Sequence, residues 1–281
     1  MISGAVKGIV NAVTSLRRTK EEEASQAPQA DPQVLEGCVQ SEQNEEAVDE
    51  STQRVLERAL GAVQMILHCA DHEITSRTFI LDRIREFGIP YNEWPEMWQF
   101  MHWRNVSKFG VMQIPTEFAD FLMMLVRMKT IKTAIEIGVW HGASSYLTCA
   151  VLQRINPDVE YYMVDVEDHT LGFELFKEHL NLIKHVPATS RDFEGRMFDL
   201  VFIDGDHSYG GVQMDYLCLG QHARQVVAFH DIHGHEFNHL DGGPARFWSE
   251  FRTTQAASMT VCEFRHSQAT WMGIGMGIRS G

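Results

Sequence analysis

The stretch Ala134–Tyr146 reads AIEIGVWHGASSY. An apolar run ends at Ile137, and Gly138 and Gly142 then allow a tight turn with close backbone approach. Ser144 and Ser145 sit where a helix begins, and Leu147, Cys149 and Val151 continue it. This is the strand–turn–helix that opens a βαβ unit, and in such sheets a ligand lies outside the carboxyl ends of the strands. The spacing is not GxGxxG, so a dinucleotide pyrophosphate is not the natural guest. Glu136 stands out in its apolar strand. A buried carboxylate needs a partner, supplied here by a ligand or by loop amides. Taken alone, the turn is equally an ordinary strand-to-helix connection.

Working outward, short apolar runs recur at Thr133–Ile137, Tyr161–Asp165, Leu200–Ile203, Gln225–Phe229 and Thr260–Phe264, mostly separated by helical patterns. A helix is expected from Pro115 to Met128. The rhythm predicts an α/β fold with a Rossmann-like, doubly wound sheet. Upstream, Ser51 or Thr52 can cap a helix running through Val55, Leu56, Leu60, Val63, Ile66 and Leu67, and a second covers Ser76–Phe87, ended by Gly88 and Pro90. An aromatic cluster follows (Tyr91, Trp94, Trp98, Phe100, Trp103, Phe109). It either packs a helical cap or forms an apolar wall of a pocket.

The expected organisation is a short amphipathic segment over 1–18, a disordered linker over 19–53, a helical cap over 54–110 and a ligand-binding domain over 111–281. Val6, Ile9, Val10 and Val13 carry the first assignment. That segment is either a frayed terminus or a helix that docks a partner, a second copy or a membrane surface. The linker is rich in Glu, Gln, Ser, Ala and Asp and has no aromatic residue.

Composition excludes some classes. No apolar run reaches the length of a transmembrane helix, and MISGAVKGIVNAVTSLRR has its paired basic residues after the apolar stretch, unlike a signal peptide. The five cysteines are scattered and form no CxxC pair, which fits a reducing, cytoplasmic setting. A net charge of -14 disfavours nucleic acid as a partner.

The chemistry-bearing residues fall at strand ends. Asp165 closes YYMVDVED, where an acid can accept both ribose hydroxyls; Glu167 and Asp168 are alternatives. Asp204 follows the strand in FIDGDHSY, and His230 and Asp231 follow the next one in FHDIHG. Adjacent strand ends bring Asp204 and Asp231 together. Two close carboxylates repel unless a cation or proton lies between them, and oxygen ligands suit Mg²⁺; a metal-free structural pair is the other reading. Asp206 is expected to brace its loop, and Tyr209 to line the site or pack. His233, His235 and His239 lie close to His230 and are either solvated or part of an imidazole metal site.

EIGVWHG, VDVED, FDLVFIDGDHSYGGV and VVAFHDI, in this order, resemble the class I S-adenosylmethionine-dependent methyltransferases, and among them the small-molecule and sugar O-methyltransferases with a DGDHSY signature. The resemblance spans roughly Gln113 to Ile278. It implies seven strands with the last antiparallel, a place that TWMGIGMGIR fits. It implies S-adenosylmethionine as cofactor, held by Glu136, Gly138, Gly142, Ser144, Asp165, Ser190 and Asp204, with Thr189 and Arg191 beside the adenine. It also implies a divalent metal (Mg²⁺) on Asp204, His230 and Asp231, and His207 as the base. Relatives often carry two acids where this chain has His230 and Asp231. The expected activity is O-methylation of a small hydroxylated molecule such as a sugar. The alternatives are an inactive, methyltransferase-like interaction module and a metal-dependent hydrolase; the second explains neither the glycine turn nor Asp165. A homo-oligomer or a docking partner is expected through the N-terminal helix.

Overall fold

Successive side chains of a strand point to opposite faces of its sheet. In β1 (Thr133–Ile137), Ala134 and Glu136 face one side, and Ile135 and Ile137 the other. Both faces are buried, so helices must cover both, as the parallel arrangement requires. The computed structural model describes residues 50–88, 109–266 and 269–279.

The sheet has seven strands in the order β3-β2-β1-β4-β5-β7-β6. Those not yet given are β2 (Glu160–Val164), β3 (Leu182–His185), β4 (Leu200–Ile203), β5 (Val226–His233), β6 (Met259–Phe264) and β7 (Met272–Arg279). Strands β1 to β5 are parallel, and β7 runs antiparallel between β5 and β6. This is a Rossmann-like, doubly wound sheet with its last strand antiparallel, as expected. One strand, β3, was not foreseen. The strand expected at Gln225–Phe229 runs on to His233, so His230 and Asp231 lie within it rather than after it.

Helices α1 (Glu50–His68), α2 (Asp71–Ile74), α3 (Arg77–Phe87), α4 (Pro115–Arg127) and α5 (Ala143–Ile155) precede β2 in the chain; α6 (Phe173–Lys177), α7 (Tyr209–Cys218) and α8 (Gly243–Gln255) follow it. Local chemistry sets their ends. Ser76 accepts the Phe79 N–H and caps α3, while Gly88, at φ 70°, closes it. Pro115 opens α4, where its missing N–H has no role. The Ser208 hydroxyl caps α7 by accepting the Gly211 N–H.

On one face, α1, α3, α4 and α5 form a single continuous core with Ala134, Leu200, Phe202, Val226 and Ala228 of the sheet. The described helices of the stretch expected as a helical cap over 54–110 thus pack onto the sheet in one core. Helix α1 begins at Glu50, inside the stretch expected as linker. The rest of that linker, the segment 1–18, and Tyr91, Trp94, Trp98, Phe100 and Trp103 lie outside the described residues. Phe109 is buried and packs in the core: its ring stacks on Tyr146 and Phe176 at 6.3 and 6.1 Å. On the opposite face, α7 and α8 cover Ile135, Val201, Ile203, Val227 and Phe229. Among the described residues, no helix is long and apolar enough to cross a membrane.

Candidate active site

Five parallel strands end together, and their loops surround a cavity of about 1110 Å³. One wall is the glycine turn. The Gly138 N–H donates to Val164 O and the Asp204 N–H to Ile137 O, so this turn is clasped between β2 and β4. A Cβ on Gly138 would lie 2.2 Å from the Asp204 carbonyl oxygen. The glycine is therefore required by the approach of two protein loops rather than by a ligand alone. Gly142, at φ 88°, presses on Tyr146: a Cβ there would be 2.7 Å from the phenol oxygen. Tyr146 in turn stacks on Phe176 at 4.1 Å. The turn thus rests on the aromatic core beneath it.

Asp165 braces the same turn. One carboxylate oxygen accepts the N–H groups of Val139 and Trp140 at 2.9 and 3.0 Å, and the other accepts that of Val166 at 2.7 Å. Asp165 and Glu167 both line the cavity. Asp168, the third alternative, is turned to Lys184 and Thr170 instead. Ser144, Thr189, Ser190 and Arg191 line the cavity as well.

Glu136 does not belong to the wall. It is fully buried, and its carboxylate accepts hydroxyls from Ser144, Ser145 and Tyr161 at 2.6–2.7 Å. Burial pushes Glu136 up to about 7, against the pull of these three donors. These hydroxyls tie the start of α5 and β2 to β1. Glu136, expected among the cofactor-binding residues, lies outside the cavity lining and anchors the turn from behind.

The opposite wall is made of charged side chains. His230 Nδ1 lies 3.2 Å from Asp204 Oδ1 and 3.4 Å from Asp231 Oδ1. His207 Nε2 lies 3.2 Å from Asp231 Oδ2 and 3.6 Å from Asp204 Oδ1, and its ring stacks on Phe237 at 4.3 Å. Neighbours in a strand normally diverge. Here Asp231 adopts φ 55°, and the pairing of β5 with β7 shifts between His230 and His233. The bulge lets His230 and Asp231 reach the same centre.

Burial raises the carboxyl of Asp204, but the charges and hydrogen bonds of His230 and His207 outweigh it and hold Asp204 well below the usual range. Burial likewise opposes protonation of His207 and His230, and the two aspartates outweigh it, so both imidazoles are raised.

Two residues here were missed in the sequence. Gln113 is buried, and its Nε2 donates to Asp204 Oδ2 at 2.9 Å, while its Oε1 has no hydrogen-bond partner among the described residues. Asp215, a carboxylate on α7, lines the cavity beside Ser190. Asp206 braces its loop by accepting the Ser208 N–H, and Tyr209 packs away from the cavity with its hydroxyl on Glu250. His233 points to Arg265, and neither it nor His235 or His239 joins the cluster. Among the described residues, Asp204, His230 and Asp231 form the single group able to hold a metal, with ligand atoms within 4.8 Å of one another.

Residues 135–232 match the model of a family described as a methyltransferase domain. The match runs from β1 to the His/Asp segment of β5. No curated protein matches the sequence. Among solved structures, the chain is similar to the O-methyltransferase TomG from Streptomyces achromogenes in complex with SAM, at 16% identity over 61% of this chain and 82% of that one, with a TM-score of 0.45. It is also similar to an O-methyltransferase from Bacillus cereus in complex with SAH, at 14% identity over 78% and 95% of the two chains, with a TM-score of 0.44. A third similar structure is the MycE methyltransferase of the mycinamycin pathway with Mg, SAH and mycinamycin VI, at 14% identity over 58% and 49%, with a TM-score of 0.42.

Proposed function

We propose that this protein is an S-adenosylmethionine-dependent O-methyltransferase acting on a small hydroxylated acceptor such as a sugar. The observation that carries this reading is the convergence on one cavity of a braced glycine turn, two strand-end acids and the Asp204–His207–His230–Asp231 cluster. The turn and Asp165 or Glu167 take the cofactor's ribose, and the loop at Thr189–Arg191 takes its base. That orientation directs the methyl group toward the charged wall.

A hydroxyl is a weak nucleophile until it loses its proton. His207 is placed to take it. Its Nε2 faces the cavity wall formed by Asp204 and Asp231, and both carboxylates stabilise the imidazolium that results. Gln113 fixes the second oxygen of Asp204, which keeps the first turned to the two histidines. The donor set fits a divalent cation: two carboxylates and one imidazole, that of the buried His230, whose Nε2 has no hydrogen-bond partner among the described residues. Bound by Asp204, His230 and Asp231, such a cation supplies a Lewis acid that lowers the pKa of the acceptor hydroxyl. The imidazole ligand suits Mn²⁺, Fe²⁺ or Zn²⁺ as well as Mg²⁺.

One observation favours a second reading. Asp231 Oδ2 and Asp204 Oδ1 lie 3.2 and 3.6 Å from His207 Nε2, close enough to orient the imidazole by themselves. The same chemistry can therefore run without metal, with His207 oriented by the carboxylates. Calorimetric titration of the purified chain with S-adenosylmethionine, alone and with Mg²⁺ or Mn²⁺, followed by a screen of sugar and phenolic acceptors, tests both. Stoichiometric binding with metal-dependent turnover supports the first reading, and turnover in chelator supports the second. The absence of cofactor binding under every condition overturns both and leaves an inactive, methyltransferase-like interaction module.

A further inference from the structure

Glu117 is a buried carboxylate that the proposed chemistry does not use. It lies in the first turn of α4, only 1% exposed, shortly after Gln113, whose amide holds Asp204. Its two oxygens accept backbone N–H groups from the far end of the chain. Oε1 takes that of His266 at 2.5 Å and Oε2 that of Gly273 at 3.1 Å. These residues bracket the turn between β6 and β7.

Gly273 has a particular place in the sheet. In the register of β5 with β7, His230 pairs with Ile274 and His233 with Met272. Asp231 and Ile232 therefore stand against Gly273 alone, so Gly273 is the residue opposite the bulge. A bulge disrupts the ladder at that point, and the Gly273 N–H goes to Glu117. The backbone is left-handed on both strands: φ is 55° at Asp231, 66° at Met272 and 91° at Gly273. Such conformations persist only where the surroundings hold them. On the β7 side that hold comes from Glu117. Trp271 and Met272, just ahead of Gly273, line the cavity. Burial pushes Glu117 up to about 7, opposed by the two amides and by His230 and aided by Asp231. The carboxylate thus feels the charged cluster, although it stands outside the group able to hold a metal.

We infer that Glu117 is a positioning residue: by holding Gly273 and His266 it fixes the β5 bulge in the shape that brings His230 and Asp231 onto one divalent cation with Asp204. The inference rests on the cation in the proposed function and deepens that reading.

The test uses the full chain with two probes: Mn²⁺, followed by the paramagnetic resonance of the free ion, and S-adenosylhomocysteine, followed by calorimetry. Glu117→Gln keeps the size of the side chain but leaves one acceptor oxygen for two N–H groups. It should weaken Mn²⁺ binding about tenfold to a hundredfold, the range for groups that orient metal ligands, with S-adenosylhomocysteine affinity at the wild-type value. Unchanged Mn²⁺ affinity in the folded variant overturns the inference. An equal loss for both probes, the mark of general structural damage, overturns it as well. A second measurement needs no variant to fold: in wild type, Mn²⁺ should slow hydrogen exchange at the His266 and Gly273 amides, and exchange indifferent to Mn²⁺ overturns the coupling. Wild type that binds S-adenosylhomocysteine but not Mn²⁺ removes the cation and the inference, and the S-adenosyl reading stands. Wild type that binds Mn²⁺ but not S-adenosylhomocysteine removes the S-adenosyl reading, and Mn²⁺ affinity and hydrogen exchange still decide the role of Glu117.

Discussion

The two walls of the cavity are built on different principles. The glycine-turn wall is made of backbone: positive φ at Gly138 and Gly142, amides gathered by Asp165, and a close approach of two loops. The wall at the ends of β4 and β5 is made of charge: two aspartates and two histidines within hydrogen-bonding or ion-pairing distance. The first wall is a matter of shape and should fail all at once when atoms are added. The second is a matter of proton affinity and should fail in rate while the fold persists.

Substitution of Gly138 by Ala should break the first wall most severely. Its Cβ would meet the backbone of Asp204 at 2.2 Å, so the loss should reach about 3 kcal/mol or more. Gly195 is the control. It has a similar φ of 83° but nothing within 4 Å of a Cβ, so Gly195→Ala should cost only about 1 kcal/mol. Equal thermal unfolding shifts in the two variants would refute the steric account. At the second wall, His207→Ala should lower turnover by about 10²- to 10⁴-fold, the range of general-base catalysis, with cofactor affinity close to wild type. Asp231→Ala and Asp204→Ala should behave alike. Initial rates and calorimetry on the same preparations separate the two effects, and full activity in any of these variants removes that residue from the mechanism.

The smallest effect concerns Glu136, behind the first wall. Its value is raised from 4.5 to about 7 in the fold. The folded state therefore holds this proton more tightly than the unfolded chain. The stabilising contribution is complete below pH 4.5 and is lost as pH rises through about 7. Glu136→Gln cannot ionise, so it should gain on wild type by on the order of 2 kcal/mol between pH 5 and 8. Urea unfolding at both values checks this, and a difference between the two proteins that does not move with pH would contradict it.

Much of this was legible in the sequence because each strand that positions the site is a short apolar run ending in Gly or Asp. Ile137–Gly138, Val164–Asp165 and Ile203–Asp204 mark those ends directly. Strand β3 escaped because LIKH alternates apolar and polar residues over only four positions. The meeting of Asp204 with Asp231 followed from strand adjacency, whereas the turn of His230 toward both depends on the left-handed backbone at Asp231, which no periodicity announces. Glu136 was visible as a buried acid, but its three hydroxyl partners come from a helix start and a neighbouring strand. Gln113 lies ahead of the conspicuous motifs. Asp215 carried a signal that went unused, being the one acid in an apolar helix.

The core beneath the glycine turn has a bearing on how this domain could be inherited or transplanted. The family match stops at residue 232, before α8, β6 and β7, and begins at 135, after α1, α3 and α4. Yet Phe87 and Phe109 stack on the ring of Phe176, which supports Tyr146 and through it Gly142. The sheet's antiparallel strand likewise arrives from beyond the match. The recognisable segment is thus not a cassette. Recombination that cut at its borders would carry the chemistry away from the packing that shapes it, which draws on Phe87 and Phe109 before the match and on β7 after it.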